Sequence, residues 1–206
     1  MPNPLELWVE ECARLCEPDE IIWIDGSEEE KARLEKEACS TGELIRLNRK
    51  KLPGCFYHRT NPNDVARTEH LTYICTPTKD EAGPSNNWMP PQAAYEKASG
   101  YLRGAMRGRK MYVVAFSMGP VGSQFSKIGV ELTDSIYVVL NMRITTRIGK
   151  PVLDQLEKDN WNFTRCLHSK AELDESKRLI LHFPQDNTSW SVNSGYGGNV
   201  LLGKKC

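Results

Sequence analysis

Three glycines fall within four positions near the end of this 206-residue sequence, in the run SGYGGN at residues 194–199. Glycine leaves the backbone N–H groups open to a ligand and can adopt the positive φ angles of an anion-binding nest. A tight turn with Tyr196 packed on its flank explains the same pattern. The run matches neither GxGxxG nor a P-loop, so no nucleotide site is predicted here.

Two adjacent lysines, Lys204 and Lys205, follow the apolar run Val-Leu-Leu. Neighbouring side chains point to different sides of either a strand or a helix, so the two ammonium groups are predicted to have different roles. Desolvation lowers the pKa of a buried lysine, and a neutral amine can bind a metal or accept a proton. Two solvated surface lysines are the alternative.

An arginine, Arg67, lies near the end of a loop in the run DVARTE at residues 64–69. Beside acidic residues it could form a structural ion pair. Its planar guanidinium also suits a carboxylate or phosphate group on a small substrate. Both interpretations stay open from the residue types alone.

The surrounding chain has the pattern of one mixed α/β domain over residues 1–206, with a central mixed β-sheet flanked by helices. Apolar residues at helical spacing, proline starts and a Ser27–Glu30 capping box predict four helices. The helices are placed at 4–17, 27–38, 90–107 and 150–159. Strands are predicted at 21–24, 71–76, 110–116, 127–132, 135–144, 163–168 and 177–183. Turn-forming residues predict long irregular connections at 51–67 and 77–90, and a turn-rich stretch from residue 187.

Composition restricts the class of protein. With 39% hydrophobic residues, 27 acidic and 27 basic side chains, no long apolar span and no signal peptide, the chain is predicted to be cytoplasmic and not membrane-bound. Its seven scattered cysteines are predicted to be reduced, with Cys12 and Cys16 in the core. The first 40 residues hold 12 acids and 4 bases, so the remainder is basic, which favours anionic ligands. No motif supports a nucleic-acid partner.

Three runs together resemble the N-terminal domain of GTP-dependent phosphoenolpyruvate carboxykinase. They are NPNDVARTE at 61–69, the long segment MYVVAFSMGPVGSQFSKIGVELTDSIYVVLNMRITTRIG at 111–149, and SGYGGNVLLGKKC at 194–206. The likeness extends from Leu5 to Cys206. Enzymes of this family continue into a nucleotide-binding domain, so the resemblance implies a chain truncated before that domain and inactive alone.

The resemblance also implies roles for individual residues. Arg67 binds the carboxylate of oxaloacetate or phosphoenolpyruvate, and the ring edge of Tyr196 faces the same carboxylate. Lys205 is a manganese ligand, Lys204 meets the transferred phosphoryl group, and Glu69 steers the opening of the Arg67 loop. Three further residues shape the carboxylate pocket, namely Gly197, Gly198 and Asn199.

The implied cofactors and partners follow from the same resemblance. Mn²⁺ would be held partly by Lys205, and Mg²⁺ would accompany GTP, which binds through the missing domain together with its product GDP. This chain is expected to bind neither metal by itself. An exposed apolar patch where the missing domain docks would permit self-association. The alternative functions are a non-enzymatic small-anion-binding module and a purely structural domain.

Overall fold

The computed structural model describes residues 2–59, 61–62 and 68–195. Over these residues the chain has five α-helices, which are α1 (Pro4–Cys16), α2 (Glu28–Ser40), α3 (Pro91–Leu102), α4 (Ile136–Thr145) and α5 (Lys150–Lys158). The strands are β1 (Glu20–Trp23), β2 (Ile45–Arg46), β3 (Phe56–Tyr57), β4 (Thr72–Ile74), β5 (Asn87–Trp88), β6 (Lys110–Met118), β7 (Lys127–Thr133), β8 (Arg147–Ile148), β9 (Thr164–Ser169), β10 (Leu179–Phe183) and β11 (Thr188–Val192).

A mixed β-sheet forms the centre of the molecule. Its strand order is β1-β6-β7-β9-β11-β10-β4-β5, with β8 pairing on β6, while β2 and β3 form a separate hairpin. Strands β7, β9 and β11 are mutually parallel, and β6 and β10 run antiparallel to them. We call the side at which β7, β9 and β11 end the carboxyl edge. Strands β4, β6 and β10 begin at that same edge.

Helices cover both faces of the sheet, which confirms the predicted α/β class. On one face, α1, α3 and α5 bury a large apolar cluster that includes Leu5, Leu102 and Leu156. On the other face, α2 and α4 pack over a smaller cluster through Leu34 and Met142. Burial of apolar surface on both sides explains why the central strands are almost continuously hydrophobic.

The prediction of a strand at 135–144 is wrong, because helix α4 occupies this segment. Ser135 caps the helix by accepting a hydrogen bond from the Val138 N–H group at 3.4 Å. Thr133 is the last residue of the preceding strand, and its hydroxyl accepts a hydrogen bond from the Ser135 N–H group at 3.1 Å. The β-branched residues indicated a strand, but packing of one helical face against the sheet outweighs that weak intrinsic preference.

Smaller differences concern element boundaries. The helix predicted to reach residue 107 ends at Leu102, and the stretch predicted as turn-rich from residue 187 contains strand β11. The long connection at 77–90 holds a short 3₁₀ helix and strand β5. The Ser27–Glu30 capping box is half formed, because the Glu30 carboxylate accepts from the Gly26 N–H group at 2.9 Å instead of from Ser27.

The acidic N-terminal part, residues 1–40, forms ion pairs with the basic remainder. Glu17 pairs with Arg107 at 2.7 Å, and Glu37 pairs with Lys110 at 2.7 Å. Glu28 reaches the Arg143 guanidinium on α4 at 3.0 Å. The Glu17–Arg107 pair is solvent-exposed on both sides, so it adds at most about 1 kcal/mol to stability.

The six described cysteines are all free thiols, and Cys12 and Cys16 are buried in the core as predicted. Cys206 lies outside the described residues. Burial raises the pKa of the Cys16 thiol to about 12, which keeps that thiol protonated and unreactive. Among the described helices, none is long and apolar enough to cross a membrane.

Exposed apolar side chains occur on the β2–β3 hairpin and on α4. Ile45 and Tyr57 pair across the hairpin, and both are about half exposed. Ile144 is 83% exposed and lines, with Tyr57, a cavity of about 740 Å³. Docking of a further domain or a second copy on this surface stays a prediction.

Candidate functional site

The residues that carry the predicted site lie outside the described part of the chain. They are Arg67, Tyr196, Gly197, Gly198, Asn199, Lys204 and Lys205. The described chain reaches Thr68 on one side and Gly195 on the other. The geometry of these two flanks therefore shows at which edge of the fold the described chain leads into the predicted site residues.

The flank after Arg67 is a short 3₁₀ turn that leads into β4. The Thr68 carbonyl accepts from the Leu71 N–H group at 3.0 Å and from the Thr72 hydroxyl at 2.8 Å. The Asn87 side-chain amide donates to the carbonyl of Glu69 at 2.7 Å and to that of Thr72 at 3.0 Å. Backbone and side-chain bonds together fix this flank against the edge strand.

The flank before Tyr196 continues β11 past its last residue. The Asn193 N–H group donates to the Ser169 carbonyl at 3.0 Å, which extends the pairing with β9 by one residue. Asn193 then takes a left-handed conformation, with φ of 59°. Asparagine tolerates this conformation better than most residues, so the chain can turn here.

Side chains hold this turn in place. The buried Arg178 guanidinium donates through Nε to the Asn193 carbonyl at 2.8 Å. The Asn193 side chain accepts from the Asp174 N–H group at 3.1 Å and donates to the Lys177 carbonyl at 3.3 Å. The fully buried His168 bonds through Nε2 to the Ser194 carbonyl at 2.5 Å.

The sheet brings the two flanks to the same edge. Thr72 at the start of β4 lies opposite Ile180 in β10, and Ile180 lies opposite Ser191 near the end of β11. Only β10 separates β4 from β11, so the two flanks leave the sheet about 10 Å apart. Both emerge at the carboxyl edge, which is where ligands bind in open α/β sheets.

A buried carboxylate ties together the neighbouring strand ends at this edge. Asp134, which follows β7, accepts from the Ser169 hydroxyl at 2.9 Å and from the Lys170 N–H group at 2.7 Å. Arg109 completes the set with a 3.0 Å ion pair to the same carboxylate. The ends of β7 and β9 are thereby cross-linked through one side chain.

A cavity of about 480 Å³ lies beside Asp134 at the carboxyl edge. Its three lining cations are each paired with a carboxylate. Arg109 pairs with Asp134, Lys110 with Glu37 at 2.7 Å, and Lys170 with Glu43 at 3.3 Å. Charge neutralisation by these pairs makes this cavity a poor match to a small dianion.

The glycine-containing loop in the run MGPVGS belongs to a different part of the molecule. It joins β6 to β7 at the edge opposite the carboxyl edge. Gly122 and Ser123 line a polar cavity of about 580 Å³ there, together with Gln155 of α5. This loop therefore lies away from the flanks of the predicted site residues.

Within the described ranges, no group of three or more histidine, cysteine, aspartate or glutamate residues could hold a metal ion. The described residues thus do not supply a manganese site. The manganese role of Lys205 stays a prediction about a residue outside those ranges.

Residues 7–206 match the family described as the phosphoenolpyruvate carboxykinase N-terminal domain. The chain belongs to this family. The resemblance carried by residues 61–69, 111–149 and 194–206 is therefore confirmed at the level of the family.

Similar curated proteins have the same family name. The chain is 58% identical over 199 residues to phosphoenolpyruvate carboxykinase (GTP) of Anaeromyxobacter dehalogenans, which covers 97% of this chain and 33% of that relative. The protein of the same name from Corynebacterium efficiens is 47% identical over 210 residues, covering 97% of this chain and 34% of that relative. The carboxykinase N-terminal domain described here thus spans about a third of the length of these relatives.

Sequence reasoning missed the residues that hold the flanks. His168 is a single histidine in a strand-like run, and Arg178 and Asn193 stand alone in the sequence, so no spacing pattern marks them. Asp134 lies between a strand and the helix cap Ser135. This position is the one sequence feature that could have indicated a structured strand end. Their partners are distant in sequence and become neighbours only through the order of the strands.

Proposed function

We propose that this carboxykinase N-terminal domain supplies the oxaloacetate and phosphoenolpyruvate half of the active site of a GTP-dependent phosphoenolpyruvate carboxykinase. The arrival of the flanks of Arg67 and Tyr196 at one sheet edge is the observation that carries the proposal. Two segments far apart in sequence can contribute to a single pocket only if the fold places their ends together.

The proposed chemistry begins with binding of a small dianion. The Arg67 guanidinium and the positive ring edge of Tyr196 would hold the carboxylate of oxaloacetate. Gly197, Gly198 and Asn199 would let the backbone approach it closely. Glu69 follows Arg67 in the 3₁₀ turn Glu69–Leu71, from which it would steer the opening of the Arg67 loop.

Oxaloacetate would lose CO₂ by cleavage of a carbon–carbon bond, and the electron pair left behind forms an enolate. The enolate oxygen attacks the γ-phosphorus of GTP, and GDP leaves with the electrons of the broken phosphorus–oxygen bond. Lys204 would neutralise charge on the transferred phosphoryl group. Lys205 would help to hold Mn²⁺, an ion that would supply positive charge for the enolate oxygen.

The proposed function also implies which nucleotides and metal ion the whole enzyme would bind. GTP with Mg²⁺, and the product GDP, would bind to the part of the carboxykinase that this chain does not contain. We also propose a cytoplasmic location and a role in gluconeogenesis. No nucleic-acid or membrane partner is proposed.

A chimaera tests the proposed activity. The 206 residues would replace the matched third of the Anaeromyxobacter dehalogenans relative, and GDP formation would be measured with oxaloacetate and GTP. Oxaloacetate-dependent GDP formation is expected. A folded chimaera that does not form GDP while the parent relative does would contradict the proposal.

Arg67→Lys in that chimaera should lower kcat/KM for oxaloacetate by roughly one to two decades. A bidentate guanidinium becomes a point charge, and a charge-assisted bond is worth about 1.5 to 3 kcal/mol. Arg103→Lys is the matched control, because Arg103 is an exposed residue at the end of α3. Equal kinetics for the two variants would assign Arg67 to a structural ion pair.

Oxalate binding tests the pocket in the 206-residue chain itself. A chemical-shift titration should show millimolar affinity, about −4 kcal/mol, centred on residues 194–199. Gly197→Val should abolish binding, because a β-branched side chain would occupy the approach to the pocket. Gly100→Val should not, because a Cβ at Gly100 in α3 meets no atom within 4 Å.

The two experiments separate the candidate functions. Oxalate binding that Gly197→Val leaves intact would contradict a pocket at the glycine run. Oxalate binding by the chain without activity of the chimaera would favour the alternative, a non-enzymatic anion-binding module.

A further inference from the structure

We infer that His168 is a positioning residue for the substrate-binding segment, acting through the Ser194 carbonyl. The inference rests on the proposed role of Tyr196 and its neighbours. Nothing in the sequence motifs points to His168. His168 is distinguished by its hydrogen bonds at the carboxyl edge.

The two ring nitrogens of His168 are both used. Nδ1 lies 2.7 Å from the Thr133 hydroxyl and Nε2 lies 2.5 Å from the Ser194 carbonyl. A carbonyl oxygen can only accept, so Nε2 carries the hydrogen. In the neutral ring Nδ1 is then the acceptor, and the Thr133 hydroxyl donates to it.

The orientation of the Thr133 hydroxyl is itself set by the backbone. Its oxygen accepts from the Ser135 N–H group at 3.1 Å, which uses one lone pair and leaves the hydroxyl hydrogen for His168. The chain of bonds thus runs from the cap of α4, through Thr133 and His168, to Ser194. Each member is buried, and water competes little with buried bonds.

The chain of hydrogen bonds ends at Ser194, directly before the segment that contains Tyr196. Asn193 and Ser194 are the last residues before the glycine run, and Gly195 is where the described chain ends. Arg178 holds the Asn193 carbonyl at 2.8 Å and His168 holds the next carbonyl. Two successive peptide groups are therefore oriented by side chains before the chain enters the segment with Tyr196.

A glycine-rich segment has little intrinsic conformational preference, so its direction depends on how its start is held. Substrate pockets need their groups within a fraction of an ångström of the productive geometry. Any buried histidine needs a partner for its ring N–H group, and for His168 that partner is the carbonyl directly before Gly195. The geometry therefore favours a positioning role.

Three variants of the 206-residue chain test the inference. His168→Phe keeps an aromatic ring but removes both bonds. His168→Gln retains an N–H donor able to reach the Ser194 carbonyl. Leu167→Ala is the matched control, because Leu167 is fully buried in the cluster on the other face of the sheet.

The readouts are oxalate affinity, the ¹⁵N order parameters of Ser194 and Gly195, and thermal stability. His168→Phe should weaken oxalate binding about tenfold, the equivalent of one buried hydrogen bond, and lower both order parameters from about 0.85 to below about 0.6. His168→Gln should stay within about threefold of the unmodified chain. Leu167→Ala should lower the melting temperature without changing oxalate affinity or the two order parameters.

A second pair of variants serves if His168→Phe does not fold. Thr133→Val removes the hydroxyl that orients the ring, and Thr133→Ser restores it. Weaker oxalate binding and lower order parameters in the valine variant, both restored by serine, are expected.

Order parameters and oxalate affinity that stay unchanged in His168→Phe or Thr133→Val would overturn the inference, as would equal losses in Leu167→Ala. Failure of the unmodified chain to bind oxalate would contradict a preformed carboxylate pocket in the isolated chain instead, while the chimaera would still test the proposed activity. In that case the order parameters of Ser194 and Gly195 still decide the role of His168.

Discussion

Gly149→Ala should destabilise the domain by about 3 kcal/mol or more, which makes it the most damaging single-methyl change we expect. Gly149 precedes α5 and has a φ of 88°, a conformation that L residues rarely adopt. A Cβ atom there would overlap the Asp25 carbonyl group. That carbonyl cannot move freely, because it accepts from the Lys150 N–H group at 3.0 Å.

Gly42→Ala is the control that separates strain from overlap. Gly42 has a similar φ of 78°, but a Cβ atom there meets nothing within 4 Å. The control should therefore cost only about 1 kcal/mol, from backbone strain alone. Urea unfolding of both variants measures the difference. Equal free energies of unfolding would mean that the backbone around Asp25 relaxes at no cost.

Glu131→Gln should stabilise the domain at pH 8 and leave it little changed at pH 4. Glu131 is fully buried in β7, and among the described residues neither of its carboxyl oxygens has a conventional hydrogen-bond partner. Burial raises the pKa of this carboxyl well above its usual range, with only the neighbouring Cys166 thiol acting to lower it. The same burial, with Glu131 nearby, raises the pKa of that thiol.

The sign of the pH dependence follows from this raised pKa. Between the ordinary pKa of glutamate and the raised value, the native state binds the proton and the unfolded state does not, so stability falls as pH rises. Glutamine cannot ionise, which removes this loss. The gain at pH 8 should be about 1.4 kcal/mol for each unit by which the pKa in the native state exceeds the ordinary pKa of glutamate.

Urea unfolding at pH 4, 6 and 8 checks this prediction. The unmodified domain should lose stability across this range relative to Glu131→Gln. Glu157→Gln on the exposed side of α5 is the control and should follow the unmodified domain at every pH. A Glu131→Gln variant that is equally destabilised at all three pH values would mean that the carboxylate is ionised and paired in the native state.

The sequence by itself determined the elements that have a clear hydrophobic pattern. Helix α1 was predicted within a few residues because its buried stripe recurs at helical spacing. Strands β6 and β7 were predicted equally well because burial on both faces makes their sequences almost continuously apolar. The three long motifs determined the family, because their residues are contiguous and need no tertiary information to be recognised.

The tertiary structure alone decided α4, where local β-branched residues predicted a strand. Docking of one helical face on the sheet, beside α2, reversed that preference. It also decided which residues hold the flanks of the predicted site. Thr133, His168 and Ser194 meet only because β7, β9 and β11 run parallel and end together, and no local pattern records which strands become neighbours. Strand order depends on contacts between distant segments, so the residues that hold these flanks could be found only in the folded chain.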